Sequence, residues 1–247
     1  MNQSLTAHTV SVSFDGLTAL SNVDLTVPKG SVTGLIGPNG AGKTTLVNVL
    51  TGFQAPTAGQ VTMDGADLGA KAAHKIRHLG IARTFQSGRL FGDLSVVDNL
   101  EVTGVGLGLS RRKASAKADE MLEWMGISAI AERIAGGLPY TDERRVAIGR
   151  ALMMEPKYLL LDEPAAGMSA EEAEDLSQLI ARIVREIGCG VLLIEHNIGM
   201  VLKTCDYIHV LDSGEIIEVG SPNVIKASEK VRHAYMGTQA ETEGEVL

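Results

Sequence analysis

A glycine-rich stretch that ends in a lysine and two threonines carries the clearest chemistry in the sequence. Its residues fit the pattern G-x-x-x-x-G-K-[ST] and are Gly37, Pro38, Asn39, Gly40, Ala41, Gly42, Lys43, Thr44 and Thr45. The glycines let successive backbone N–H groups point at one anion. The Lys43 ammonium is then expected to contact the β- and γ-phosphates, and the Thr44 hydroxyl to ligate Mg²⁺. The stretch therefore predicts a nucleoside triphosphate site.

Two acids and a histidine follow apolar runs further along the chain. Asp162 and Glu163 come directly after residues 158–161, and His196 comes shortly after residues 190–194. Runs that are apolar at every position belong to parallel strands covered on both faces, and ligands bind at the carboxyl ends of such strands. We expect Asp162 to hold Mg²⁺ and Glu163 to polarise the attacking water. His196 either senses the γ-phosphate or is an ordinary loop histidine.

The elements around the loop follow from hydrophobic periodicity. Residues 31–36 read as a strand, and Leu46, Leu50 and Phe53 recur at helical spacing after the loop. Alternating or short strand patterns predict a small antiparallel layer and a later hairpin; they cover residues 8–14, 23–27, 59–65 and 207–219. A further strand is predicted over residues 80–86. The region between is helical, at about residues 95–100, 112–125 and 142–155, with Trp124 expected in its core. Ser169 and Glu172 form a predicted capping box.

Composition narrows the class of protein. The chain has 247 residues and a formal net charge of -8, which argues against a nucleic-acid surface. Cys189 and Cys205 are too far apart to form a metal knuckle and are expected to be buried free thiols. No apolar run reaches the roughly 18–20 residues that cross a bilayer. We expect a protein that is soluble and cytoplasmic when isolated, with any membrane role supplied by a partner.

The order of these motifs resembles the ATPase subunit of ABC transporters over residues 5–237. The resemblance is carried by the phosphate loop, Gln86, the helical insertion, the segment Leu138–Arg145, the acids 162–163 and His196. It implies an α/β fold: a P-loop NTPase (RecA-like) core at residues 5–86 and 156–221, a small antiparallel β layer, and a helical signature subdomain at about residues 87–155. Residues 238–247 are expected to form a flexible acidic tail.

The resemblance also implies roles for site residues, with ATP and Mg²⁺ as cofactors. Phe14 matches the aromatic residue that stacks on adenine, and residues 37–45 match Walker A. Gln86 matches the glutamine that links Mg²⁺ to the transmembrane partner. Asp162 matches Walker B and Glu163 the catalytic base, while His196 matches the switch histidine.

Finer phrases are similar to the branched-chain amino acid importer subgroup; they include Gly80–Gln86, Asp162–Gly167 and Ile194–Asn197. The resemblance implies transmembrane permease subunits, a second ATPase subunit in a homo- or heterodimer (heterodimer favoured), an indirect periplasmic binding protein, and a peripheral position on the cytoplasmic face of the inner (plasma) membrane. Alternatives are a lipopolysaccharide-exporter ATPase and a soluble non-transport ABC ATPase. The single cassette and the negative charge argue against the second, and no nucleic-acid partner is expected.

The signature segment departs from the family pattern Leu-Ser-Gly-Gly-Gln. Pro139 replaces the serine whose hydroxyl would touch a γ-phosphate, and Thr141 replaces a glycine. Asp142 and Glu143 suit the first turn of a helix but weaken its attraction for a phosphate. The chain's own loop thus has every motif residue, whereas the surface offered to a partner's ATP is altered.

Overall fold

The computed structural model describes residues 3–69, 71–85 and 88–242, and of residues 236–242 only the backbone. Its first layer is an antiparallel sheet of β1 (Ser4–Phe14), β2 (Leu17–Pro28), β4 (Ala58–Met63) and β5 (Ala66–Asp67), in the order β2-β1-β4-β5. The apolar residues Leu5, Ala7, Val10 and Val12 of β1 are buried, with a register shift between Ala7 and Val10. The predicted antiparallel layer is confirmed.

A six-stranded sheet forms the second layer, in the order β10-β9-β3-β8-β7-β6. Its strands are β3 (Val32–Ile36), β6 (Ile81–Arg83), β7 (Tyr158–Asp162), β8 (Gly190–Ile194), β9 (Tyr207–Asp212) and β10 (Glu215–Gly220). The pairs among β6, β7, β8, β3 and β9 are parallel, and β10 returns antiparallel in the predicted hairpin. The carboxyl ends of β3, β8 and β7 therefore meet at one edge.

The central strands are covered on both faces, as their sequences predict. In β7, Leu159 and Leu161 pack in one buried cluster with the helices, while Tyr158 and Leu160 pack in another with the antiparallel sheet. All four side chains are inaccessible to solvent. Because each fully buried leucine contributes about 1.5–3 kcal/mol, this strand is a rigid base for the acids that follow it.

Helices lie along the chain between the strands and after the last of them. They are α1 (Lys43–Leu50), α2 (Ala73–Leu79), α3 (Val96–Gly106), α4 (Arg111–Met125), α5 (Tyr140–Leu152), α6 (Ala170–Arg182), α7 (Ile198–Thr204), α8 (Pro222–Ala227) and α9 (Glu229–Thr242). Both halves of the predicted Ser169–Glu172 capping box are present at the start of α6, which continues as a π-helical turn over Ile183–Ile187. Among the described residues, no helix is both long and apolar enough to span a bilayer.

Several boundaries differ from the sequence predictions. The first helix ends at Leu50, so Phe53 lies beyond it with 59% of its surface exposed, because the chain turns at Thr51 and Gly52 instead of continuing the apolar stripe. Strand β6 ends at Arg83 rather than continuing to Gln86, which lies outside the described residues. The last helix continues to Thr242, so residues 238–242 are helical, and residues 243–247 lie outside the described part.

The cysteines and Trp124 occupy the expected environments. Cys189 and Cys205 are buried free thiols, and burial raises their pKa values to about 11 and about 12. Trp124 packs against the helical core while its indole N–H donates to Glu186 at 2.8 Å. These residues are structural.

Candidate active site

The glycine-rich loop leaves β3 and enters α1, which is the context that its motif requires. A Cβ atom at Gly37 would lie 1.9 Å from the carbonyl oxygen of Leu211, so the backbone passes too close to β9 for any side chain. Gly42, at the N-terminal end of α1, has φ +105°, a conformation that favours glycine. Successive loop N–H groups and the start of α1 thus form a concave anion site.

Lys43 lies folded into this loop. Its Nζ donates to the carbonyl oxygens of Gly37 at 2.7 Å and Pro38 at 2.9 Å, and the residue is 7% exposed. Burial lowers the pKa of the ammonium, while the nearby carboxylates of Glu163 and Asp162 act in the opposite direction. The lysine and the two strand-end acids therefore share one electrostatic environment, although they are far apart in sequence.

Asp162 ends β7 and forms a short ion pair. Its Oδ2 lies 2.7 Å from Nη2 of Arg83, and the two side chains are 14% and 7% exposed. Nη1 of the same arginine donates to Oδ1 of Asn48, on α1, at 2.7 Å. Arg83 thus connects the end of β7 to the helix that carries the phosphate loop.

Glu163 and His196 are adjacent at the same sheet edge. The Glu163 N–H donates to the Ile194 carbonyl oxygen at 2.9 Å, which places the acid across from the end of β8. His196, exposed by 56% at its side chain, has Nδ1 4.0 Å from Oε2 of Glu163. The glycine-rich loop, Asp162, Glu163 and His196, which the sequence predicts as site residues, therefore lie together at this edge of the larger sheet.

Glu195 is a fully buried carboxylate to which sequence reasoning gave no role. Its Oε1 accepts the Ala165 N–H at 2.7 Å and its Oε2 accepts the His196 N–H at 3.2 Å. Burial raises the pKa of this carboxyl, against the effect of those hydrogen bonds and of the nearby His196. Glu195 ties the loop after Glu163 to the end of β8. An acid directly after an apolar strand was the available signal.

The sequence also predicts that Phe14 and Gln86 contact the nucleotide or its metal. Phe14 lies at the end of β1 with 47% of its surface exposed, opposite Leu17 of β2. The same hairpin borders the loop, since a Cβ at Gly42 would lie 2.8 Å from the Ala19 carbonyl oxygen. An exposed ring at this position is available for stacking on a base. Gln86 lies outside the described residues.

A magnesium ion held beside nucleotide phosphates fits the donor set. Mg²⁺ is usually bound by one or two protein oxygens together with substrate phosphates and water. The exposed Thr44 hydroxyl and the Asp162 carboxylate are oxygen donors of this kind. In the part of the chain that the structure describes, no group of three or more His, Cys, Asp or Glu residues is placed to hold a metal. The nucleotide would supply the remaining ligands.

The altered signature segment starts α5. Pro139 is the N-cap residue, and the Thr141 hydroxyl donates to Oε1 of Glu172 at 2.5 Å. That hydrogen bond is the main cause of a lowered Glu172 pKa. The first turn of α5 is thereby connected to the capping box that begins α6, a contact that the sequence did not predict.

A phosphate cradle, a buried lysine and paired strand-end acids can bind a nucleoside triphosphate and direct water at it. Comparison with known proteins gives the class. A family model described as ABC transporter matches residues 20–166. The chain belongs to this family as an ATP-binding subunit, and it is an ATPase with the cassette fold expected from its motifs.

Two curated relatives and one solved structure show how far the similarity extends. BraF, the high-affinity branched-chain amino acid transport ATP-binding protein of Pseudomonas aeruginosa, is 41% identical over 239 residues, covering 91% of this chain and 94% of BraF. The lipopolysaccharide export ATP-binding protein LptB of Haemophilus influenzae is 35% identical, covering 95% and 98%. The ADP conformation of MJ1267, an ATP-binding cassette of an ABC transporter, superposes with a TM-score of 0.87 at 33% identity, covering 96% and 100%.

Proposed function

We propose that this chain energises import of branched-chain amino acids or a related small polar or carboxylate solute. The single observation that supports this assignment is the 41% identity to BraF along nearly the whole of both chains. ATP binding would close a pair of cassettes, and hydrolysis would reopen it. The cargo itself would be selected by the permease and a periplasmic binding protein.

The proposed roles of the site residues follow from their positions. The loop N–H groups of residues 37–45 cradle the phosphates, and Lys43 exchanges its two carbonyl partners for phosphate oxygens. Glu163 orients and polarises water, with His196 beside it to contact the γ-phosphate. Phe14 stacks on adenine. Thr44, Asp162 and Gln86 would hold Mg²⁺, which would supply positive charge next to the phosphates.

A cleft between the core and the helical region is the proposed permease contact. It has a volume of about 690 Å³, and its described lining includes Phe53, Phe85, Arg89, Phe91 and Arg150. The exposed Phe53 and Phe91 offer apolar surface that a permease helix would cover. The chain would thus lie peripherally on the cytoplasmic face of the inner membrane, held by its partner.

We also propose that the second cassette is a different chain. The altered residues Pro139 and Thr141, followed by Asp142 and Glu143, weaken the surface that this chain offers to a partner's ATP. A homodimer would place that altered surface at both nucleotides. A heterodimer limits it to one, which leaves the other site with a complete set of contacts.

Transport in a reconstituted complex tests the importer assignment. The chain would be co-expressed with candidate permease and second-cassette proteins and reconstituted with a binding protein. We expect leucine, isoleucine or valine, or a related amide or aromatic acid, to stimulate ATP hydrolysis, and the Lys43→Ala complex to lose the stimulation. The LptB similarity defines the alternative: stimulation by lipopolysaccharide and by none of these solutes would favour an exporter.

A further inference from the structure

Arg83 places a positive charge directly against the carboxylate that we assign to magnesium. The contact is short, at 2.7 Å between Nη2 and Oδ2 of Asp162, and both side chains are largely buried. A charge-assisted hydrogen bond of this length in a site of low dielectric is stronger than a surface ion pair. Asp162 is therefore neutralised to a large extent by a residue of this same chain.

The guanidinium is held on more than one side. Nη1 donates to Asn48 at 2.7 Å, and the guanidinium carbon lies 4.8 Å from the centroid of the Phe85 ring. The position at the end of β6, next to β7 in the sheet, also fixes the backbone. These contacts hold the Arg83 guanidinium in a fixed position relative to the Asp162 carboxylate.

We propose that Arg83 is a positioning residue that shares Asp162 with magnesium and thereby limits the affinity of the nucleotide site for the divalent cation. This inference rests on the proposed nucleotide and magnesium site. A carboxylate paired with a guanidinium attracts a second cation less than an unpaired carboxylate does. Removing the arginine would leave a buried charge without compensation, which costs stability until a cation compensates it.

The magnesium dependence of ADP binding measures this effect without turnover. The dissociation constant of ADP for the full chain is measured by calorimetry, once in EDTA and once in saturating Mg²⁺. The value in EDTA divided by the value in Mg²⁺ gives the contribution of the metal to ADP binding. In Arg83→Gln we expect this ratio to rise about tenfold over wild type, since the metal then gains an uncompensated acid. Arg83→Lys retains the charge and should stay within about threefold of wild type.

A control variant at Arg182 distinguishes the effect of removing charge next to Asp162 from the general effect of losing an arginine. Arg182 also stacks on an aromatic ring, Trp124, at 4.6 Å and lies 3.7 Å from a carboxylate, Glu186. Its replacement by glutamine should leave the ratio unchanged. Thermal unfolding adds a second readout: Mg²⁺ added to the ADP complex should raise the Tm of Arg83→Gln by more than that of wild type. If the role of Arg83 were purely structural, Arg83→Gln would lower the Tm of the ADP complex by the same amount with and without Mg²⁺.

The outcomes are distinct. An unchanged or smaller ratio in Arg83→Gln overturns the inference, while a wild-type chain that binds ADP in neither condition overturns the proposed nucleotide site instead. If Arg83→Gln does not fold, Arg83→Met takes its place, because it removes the charge next to Asp162 and keeps an unbranched side chain that can contact Phe85. We then expect the same rise of about tenfold, and no rise would again contradict the inference.

Discussion

Glu163 adopts a backbone conformation that residues with side chains rarely take, with φ at +46°. Such conformations cost on the order of 1–3 kcal/mol and concentrate at active sites. Here the hydrogen bond from its N–H to Ile194 and the buried Leu161 before it hold the turn. The fold thus keeps this carboxylate beside His196 despite the conformational cost, which is consistent with a role in directing water.

Replacing Glu163 by glutamine tests that role, since it keeps the shape of the side chain and removes its charge. We expect ATP hydrolysis to fall by about 10²–10⁴-fold, the usual contribution of a positioned base. ATP binding should be retained, and size-exclusion chromatography in ATP should show a trapped dimer. Lys43→Ala provides the contrast, because it should lose nucleotide binding itself. Wild-type turnover by Glu163→Gln would remove the residue from this role.

At the residue scale, the sequence indicates the site residues that belong to contiguous motifs and misses those defined by long-range contacts. Lys43, Asp162 and Glu163 could be placed because each motif comes with the strand that positions it. Arg83 contacts an acid 79 positions away, and periodicity says nothing about such a pairing. Glu195 ends an apolar strand in the sequence, but its hydrogen bond to Ala165 depends on how two loops meet.

At the scale of elements, the start of α5 combines an altered motif with a contact to another helix. Pro139 caps the helix without a side-chain hydrogen bond, and Thr141 is tied to Glu172 at the start of α6. In the proposed pair of cassettes, the start of α5 would face the nucleotide held by the partner. The altered residues therefore change the chemistry of the segment and also connect it to the core of the same chain.

Restoring the family residues should accelerate the weaker site. Pro139→Ser with Thr141→Gly supplies a hydroxyl and a close backbone approach, and it releases Glu172. One recovered hydrogen bond of ~1 kcal/mol corresponds to roughly fivefold in rate, so we expect ATPase of the assembled complex to rise by about 3- to 10-fold. Thr141→Ser, which keeps the hydroxyl on Glu172, should remain near wild type. An unchanged rate in the double variant would contradict the proposed asymmetry.

Periodicity located the elements well but not their ends. The spacing of Leu46, Leu50 and Phe53 indicated the first helix, yet the chain leaves it after Leu50, because Gly52 adopts the left-handed conformation (φ +72°) and the Phe53 N–H donates back to the Asn48 carbonyl oxygen at 2.9 Å. The apolar run before Gln86 similarly ends as a strand at Arg83. End points depend on local hydrogen bonds and tertiary contacts that a hydrophobic pattern does not contain.

At the scale of the whole molecule, the distribution of charge is uneven. The chain carries a formal net charge of -8, yet the described lining of the cleft contains Arg77, Arg89 and Arg150 and no acid; a fourth lining arginine, Arg83, is already paired with Asp162. Burial, and then the charge of Arg77, lower the pKa of Arg150, as expected where cations gather. Because like charges are costly together, we infer that a permease segment bound in this cleft, as proposed above, would carry acidic side chains.

Neutralising two of these arginines should weaken permease binding. Arg77→Gln with Arg89→Gln removes two exposed charges worth ~1–2 kcal/mol together, so we expect the dissociation constant for the permease subunits in detergent to rise by about 5- to 30-fold. The loss should shrink in high salt, because screening already weakens these pairs in wild type. Arg111→Gln is the control, as it removes an equal charge from a side chain 88% exposed at the start of α4. Equal affinity of the double variant and this control at low salt would show that the cleft arginines do not select an acidic partner.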